Sequence, residues 1–209
     1  MAQLAHDMKH GGHDAHAHDH GHHDQEGLKM LGFWFFLATD LLIFACLFAT
    51  YIVLRTHVDG GPTGKELFEV KGFMTETFLL LTSSFTSGLA TLEMRKGNVK
   101  GLIGWLIVTV LLGMGFLGFE ITEFVQYAMD GATMSRSAFL SAFFTLVGTH
   151  GAHVTVGMFW IIGIMIQLSR RGITDVTQRK VMTSGLYWHF LDVVWVFLFT
   201  VVYLSGMVM

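Results

Sequence analysis

Five long apolar blocks constrain this chain more than any other feature of its sequence. They run over Leu28–Leu54, Val70–Glu93, Val99–Ala128, Phe139–Leu168 and Ser184–Met207. Each block reaches the ~20 residues that a helix needs to cross the hydrocarbon core of a bilayer. Because lipid offers the backbone no hydrogen-bond partner, each of these spans must be helical. The sequence therefore predicts an all-α integral membrane bundle of five transmembrane helices.

The basic residues between the blocks predict an orientation. If the N-terminus is cytoplasmic, nine lysines and arginines fall inside and four fall outside. The nine are Lys9, Lys29, Arg95, Lys96, Lys100, Arg170, Arg171, Arg179 and Lys180, and the four are Arg55, Lys65, Lys71 and Arg136. Since cytoplasmic loops are enriched in lysine and arginine, the prediction is N-in, C-out. The first block is too long for the apolar core of a signal peptide, so it is expected to be a retained span.

Residues 1–27 differ from the rest of the chain because they are polar and rich in histidine. With few apolar side chains to bury, this segment is expected to be a disordered cytoplasmic tail, and residues 28–207 the transmembrane domain. Histidine-rich tracts also chelate transition metals, so metal binding is an alternative to a simple solvated arm. The candidate ligands are His13, His16, His18, His20, His22 and His23.

Seven ionisable residues fall well inside the predicted spans. They are Asp40, Glu120, Glu123, His150, His153, His189 and Asp192. Ionisable groups are costly in hydrocarbon, so by default they indicate a functional site. Glu76 and Glu93 lie nearer to span ends and are expected to be interfacial.

Glu120 and His150 are expected to lie at similar depths in adjacent spans. At ~1.5 Å per residue, Glu120 is about 12 Å and His150 about 16 Å from the outer ends of their helices. Glu123 and His153 follow three residues later, on the same faces. The sequence therefore predicts a carboxylate–imidazole cluster between the third and fourth spans. The alternative is a polar contact that only fixes helix packing.

Two further positions have open interpretations. Asp40 lies about 16 Å into the first span, where it is either a protonatable site near a proton path or lipid, or a hydrogen-bonded tie between helices. His189 and Asp192 are three residues apart among aromatic residues. They form either a reactive pair or a local hydrogen bond within an interfacial aromatic belt.

The chain has too few ligands to be a redox centre of its own. Its spans hold three histidines, fewer than two haems and a copper ion require, and Cys46 is its only cysteine. His150 and His153 could supply two ligands to zinc or copper, but a metalloenzyme would need a third ligand and an open position. No catalytic residue and no bound cofactor are therefore predicted for this chain alone.

Four ordered motifs resemble the haem–copper oxidase subunit III family. The stretch from Ser184 to Thr200, SGLYWHFLDVVWVFLFT, closely resembles that family's last helix. Gly148–Val154 (GTHGAHV) resembles its histidine-bearing penultimate helix, and Gly118–Phe124 (GFEITEF) its glutamate helix. Gly32–Phe44 resembles the helix that carries a buried, carbodiimide-reactive carboxylate, which is often glutamate in the family and is Asp40 here.

The resemblance covers residues 28–207 and is closest to the short five-helix bacterial form. Ser83–Gly88, Glu93–Gly97 and Gly163–Gly172 resemble the third subunit of bacillus-type menaquinol oxidases, and cytochrome c oxidase third subunits are also close. The longer, seven-helix members have two additional helices and a lipid-filled cleft. The resemblance thus favours the quinol oxidase branch, with a cytochrome c oxidase as the alternative.

Membership would imply a multi-pass subunit of the bacterial cell membrane with no haem or copper of its own. It would contact catalytic subunit I, which holds haems and copper, together with subunits II and IV and membrane phospholipid, but no nucleic acid. It would sustain proton uptake and protect the catalytic subunit while O₂ is reduced to water. The alternative class of function is a stand-alone proton or metal-ion transporter. The lack of an internal sequence repeat argues against that class.

Overall fold

The described part of the chain folds entirely into helices. The computed structural model describes the backbone of residues 14–58 and 70–204, and the side chains of 27–58 and 72–204. The helices are α1 Asp14–Leu54, α2 Val70–Arg95, α3 Val99–Met129, α4 Ala138–Arg171 and α5 Asp175–Leu198, which continues as a π-helical segment, Phe199–Leu204. No strand occurs in these two stretches, so the prediction of an all-α fold is confirmed.

Four helical stretches are long and apolar enough to cross a membrane. They are Gly27–Leu54, Val99–Met129, Ala138–Arg171 and Asp175–Leu204. Helix α2 is not among them, because serine, threonine and glutamate residues lower its hydropathy. Five transmembrane helices were expected. The described residues form five α-helices, and four of these are confirmed as long and apolar enough to cross a membrane.

Two compact units divide the chain, Met1–Ile43 and Phe44–Met209. The described part of the first unit is the N-terminal portion of α1. This helix begins at Asp14, so the backbone of residues 14–27 is helical although composition predicts disorder there. Residues 14–27 extend the helix that residues 28–54 already form, so they avoid the free-energy cost of helix nucleation. A prediction of disorder from composition does not include this effect. Residues 1–13 lie outside the described residues.

In the second unit, helices that are adjacent in sequence pack together. The contacting pairs are α2–α3, α3–α4 and α4–α5, and α2 also packs against α5. The C-terminal part of α1 reaches α4, where the ring of Phe44 lies against His153 and that of Tyr51 against Phe139. The backbone N–H of Phe139 also donates to the carbonyl of His57. Helix α4 therefore contacts three other helices.

The buried polar side chains of helix α2 and its exposed large apolar side chains lie on different faces. Its buried polar residues are Glu76, Ser83, Thr86 and Ser87. Its exposed large apolar residues are Met74, Phe78, Leu81, Phe85 and Leu92. The exposed set recurs mostly at intervals of three or four residues, which places it on one stripe of the helix. The inward face is therefore mixed, since it also holds Phe73 and Leu80, and the outward face is a stripe of large apolar side chains.

Helix ends follow chemical signals that hydropathy does not show. Three helices, α2, α3 and α4, are each followed by a glycine with positive φ, a conformation that glycine adopts without strain. The angles are 73° at Gly97, 77° at Gly131 and 67° at Gly172. Helix α5 begins at Asp175, well before the predicted Ser184, because Thr174 and Thr177 form a capping box. The first turns of α5 are polar, which explains why the apolar block begins later than the helix.

Candidate functional site

Five titratable side chains from three elements form a cluster inside the bundle. Glu76 comes from α2, Glu120, Glu123 and Tyr127 from α3, and Tyr203 from the π-helical segment. The Tyr203 hydroxyl interacts electrostatically with the other four, and Glu76 interacts with both other glutamates. We call these five residues the acid cluster.

Glycines on two other helices make room for the α3 carboxylates. A Cβ atom at Gly151 of α4 would lie 2.5 and 2.6 Å from the two carboxylate oxygens of Glu120. A Cβ atom at Gly72 of α2 would collide with Oε1 of Glu123. Glu120 and Glu123 therefore contact different helices, although they are only three residues apart.

The most buried acids of the cluster lack protein hydrogen bonds. Glu76 is 0% exposed and Glu120 is 4% exposed. Among the described residues, neither oxygen of either carboxyl has a hydrogen-bond partner. A buried polar group without a partner costs about 1–3 kcal/mol, and more if it is charged. Such groups need an explanation other than packing.

His150 lies in a cage of three aromatic rings. Its ring centroid is 6.2 Å from that of Phe44, 6.0 Å from that of Phe116 and 5.3 Å from that of Trp195. It is fully buried, and neither ring nitrogen has a hydrogen-bond partner among the described residues. His153 lies one turn further along, with Nδ1 2.7 Å from the carbonyl oxygen of Thr149.

The structure brings Glu120 and His150 into neighbouring positions without a hydrogen bond between them. The Glu120 carboxylate lies on Gly151, the residue next to His150. Phe116, one turn before Glu120, meets the His150 ring edge-on at 87°. The predicted convergence of α3 and α4 is therefore present, whereas a bonded carboxylate–imidazole pair is not.

Two tryptophans tie α5 to α2 through their indole nitrogens. Trp188 donates to Oγ of Ser83 at 3.0 Å, and Trp195 donates to Oγ1 of Thr77 at 3.1 Å. Both indoles are 1% exposed. The interpretation of this motif as an interfacial aromatic belt is thus wrong for these two tryptophans, because their N–H groups satisfy hydroxyls inside the bundle.

His189 and Asp192 form a second polar site at the α2–α5 contact. Nδ1 of His189 is 2.5 Å from Oγ of Ser84 and 3.9 Å from Oδ2 of Asp192. The Asp192 side chain is buried, whereas that of His189 is 50% exposed. The local histidine–aspartate contact expected from the sequence is present, although as a loose pair, and Ser84 is its closer partner.

Asp40 is the one candidate acid of the first unit. It lies in α1 and is 5% exposed, while the next three residues, Leu41, Leu42 and Ile43, are exposed. The aspartate is therefore on the buried side of its helix, as both interpretations of its role require.

Sequence reasoning missed three members of the acid cluster, Glu76, Tyr127 and Tyr203. Glu76 was expected to be interfacial because it is near a block end, whereas its side chain is fully buried inside the bundle. The intervals between Glu76, Ser83 and Ser87 are seven and four residues, a helical stripe that would have placed it inside. Tyr203 lies within the π-helical segment, which no sequence pattern predicted. Glu93 does lie at a helix end, where it accepts hydrogen bonds from Lys96 and Asn98.

The described side chains include no cluster suited to a metal ion. Within 27–58 and 72–204, no group of three His, Cys, Asp or Glu side chains is placed to hold one. His13 and the side chains of the other tail histidines lie outside the described residues. Metal binding by the tail stays a prediction.

Comparison with known proteins gives the same family as the four motifs. The family model described as cytochrome c oxidase subunit III matches residues 1–207. Quinol oxidase subunit 3 of Bacillus subtilis is 57% identical over 180 residues, 86% of this chain and 88% of the relative. Cytochrome bo(3) ubiquinol oxidase subunit 3 of Pseudomonas aeruginosa is 51% identical, covering 92% of this chain and 94% of the relative. Cytochrome c oxidase subunit 3 of Bacillus sp. PS3 is 51% identical, covering 86% and 87%.

The all-helical fold agrees with these matches, and the acids and histidines of the motifs lie on the expected helices. Matches of this length and identity show that the chain belongs to the cytochrome c oxidase subunit III family.

Proposed function

We propose that this chain is the third subunit of a proton-pumping haem–copper quinol oxidase. The observation that carries the proposal is the 57% identity to a quinol oxidase subunit 3 over most of both chains. A ubiquinol oxidase subunit 3 matches over an even larger share. The 51% identity to a cytochrome c oxidase subunit 3 supports the alternative electron donor.

In this role the chain is a multi-pass protein of the bacterial cell membrane that carries no electrons itself. Haems and copper belong to catalytic subunit I, which this chain contacts together with subunits II and IV. The chain sustains proton uptake and keeps the catalytic subunit intact while O₂ is reduced. Its many exposed apolar side chains, such as Phe78, Phe159 and Phe197, support contact with subunits or phospholipid.

The proposal includes five spans with the N-terminus inside. Helix α2 has 26 residues, and at ~1.5 Å each this length is sufficient to cross the hydrocarbon core. Its outward apolar stripe supports a lipid-facing position. For N-in, C-out topology, a single cysteine at Ser135 in a Cys46→Ser background should react with an impermeant maleimide added to intact cells. One at Asn98 should react only after lysis, and the reverse pattern would invert the topology.

Purification from native membranes tests the assignment itself. An affinity tag on the C-terminus of this chain should isolate a complex that contains haem and oxidises quinol with consumption of O₂. Activity with reduced cytochrome c instead of quinol would select the alternative donor. A tagged chain that is recovered without haem-containing subunits would contradict the proposal.

Asp40 is proposed to support the lifetime of the complex rather than its chemistry. Asp40→Ala should leave the haem spectra and the initial rate unchanged but shorten the time over which activity persists, because a buried acid of the supporting subunit is lost. Asp40→Glu, which keeps the carboxyl, is the matched control and should behave like the unmodified complex. Activity decay should be followed over many turnovers. Equal decay in both variants and the parent would refute the role.

A further inference from the structure

Glu76 and Glu120 have no function in the proposal above, yet they are the most costly side chains in the bundle. Each is buried, and together they present four carboxyl oxygens without a hydrogen-bond partner among the described residues. We propose that these two residues form a proton-binding site, in which they share at least one exchangeable proton with internal water. This inference goes beyond the role of a supporting subunit and does not depend on the electron donor.

The first argument is the charge around the pair. Glu76 interacts electrostatically with two other acids, Glu120 and Glu123, and with the phenol of Tyr203. The remaining titratable groups of the cluster are the phenols of Tyr127 and Tyr203, and neither is cationic. No lysine or arginine donates a hydrogen bond to either carboxyl, because neither has any partner among the described residues. Two interacting buried carboxylates with no cationic partner among the described side chains are strongly disfavoured in a low dielectric, and sharing a proton removes one charge.

The second argument is the direction of the acids. Glu120 lies on Gly151 of α4, whereas Glu123 is directed at Gly72 of α2. A metal ion would need several oxygens converging on one point. The α3 acids diverge to different helices, so they do not converge on one point as the ligands of a single ion would.

The third argument comes from the imidazole of His150. It is fully buried with both ring nitrogens lacking a hydrogen-bond partner among the described residues, and its neighbour Gly151 supports the Glu120 carboxyl. An internal water needs two to four polar partners. The α3–α4 contact thus holds, besides the carboxyl oxygens of Glu120, two further buried polar atoms that a protein group does not satisfy among the described residues.

Infrared spectroscopy of the full chain, purified with the subunits that accompany it, tests the site. The carbonyl stretch of a protonated carboxyl is separate from the bands of ionised carboxylates and shifts in D₂O. We expect Glu76→Gln and Glu120→Gln each to remove or shift the same protonated-carboxyl band at neutral pH. Glu93→Gln is the matched control on the same helix as Glu76, since Glu93 lies at the helix end and accepts hydrogen bonds from Lys96 and Asn98. It should leave that band unchanged.

Glutamine is close in shape to protonated glutamic acid, so both variants are expected to assemble normally. Failure of both to assemble would overturn the proposal, because it would show that negative charge is required at these positions. An unchanged band in both variants would also overturn it. So would a stoichiometric metal ion in the parent that either variant lacks.

Discussion

Replacing Trp188 by alanine is expected to destabilise the bundle strongly. The indole is 1% exposed and is among the largest fully buried side chains of the interior. Truncating a buried tryptophan to alanine typically costs about 3–5 kcal/mol, because the surrounding structure fills the cavity only in part. The change also leaves the buried Ser83 hydroxyl without the indole N–H that contacts it at 3.0 Å. The free energy of unfolding should be measured by denaturant titration in mixed micelles.

The geometry around Trp188 explains why a smaller side chain at this position cannot fill the space that the indole occupies. A Cβ at Gly113 of α3 would lie 3.1 Å from one edge of the indole, and a Cβ at Gly157 of α4 would lie 3.3 Å from another. The ring fills a slot whose walls are bare backbone from two helices. Trp105→Ala is the matched control, because that tryptophan is 36% exposed. A loss as large for Trp105 as for Trp188 would contradict the slot interpretation.

Leucine at Gly151 should separate α3 from α4. The Glu120 carboxyl carbon and oxygens lie 2.5–2.8 Å from the position that a Cβ at Gly151 would occupy, so even the first carbon of a side chain overlaps them. Inserting bulk into a packed interior typically costs about 1–3 kcal/mol, and here a buried carboxyl must move as well. We expect Gly151→Leu to lower the thermal stability and the yield of the assembled complex.

Two comparison variants make the Gly151 prediction specific. Gly163 lies on the same helix, and a Cβ added there would meet no atom within 4 Å, so Gly163→Leu should be tolerated. Combining Gly151→Leu with Glu120→Ala should recover part of the loss, because the overlapping group is removed. Residues in contact are expected to show such non-additivity. Additive losses in the double variant would mean that Glu120 is not the obstacle.

Helix positions were predictable from sequence because lipid enforces a simple rule. A long apolar block must be helical, and the glycines at 97, 131 and 172 mark the ends of three helices. The burial of Asp40, Glu120 and His150 followed from their depth in such blocks. Apolar blocks do not predict helix where the helical residues are polar, so the start of α5 at Asp175 was missed.

The site was less predictable than the fold, because it depends on which helix faces each residue. Glu120 and Glu123 share a helix and a face by sequence, yet glycines on two different helices receive them. Depth placed Glu120 near His150 but could not show that Phe116 and Trp195 rings, rather than a carboxylate, surround the imidazole. Tyr203 reaches the cluster through a π-helical turn, a local widening that often accompanies functional sites and has no sequence signature.

The outward apolar stripe of α2 has a consequence for the temperature dependence of stability. Soluble proteins expose much apolar surface to water when they unfold, and the resulting heat-capacity increase curves their stability against temperature. Helices that separate within a bilayer exchange protein contacts for lipid contacts and wet little apolar surface. The association of these helices should therefore vary almost linearly with temperature, and cooling should not loosen the bundle as it loosens a water-soluble core.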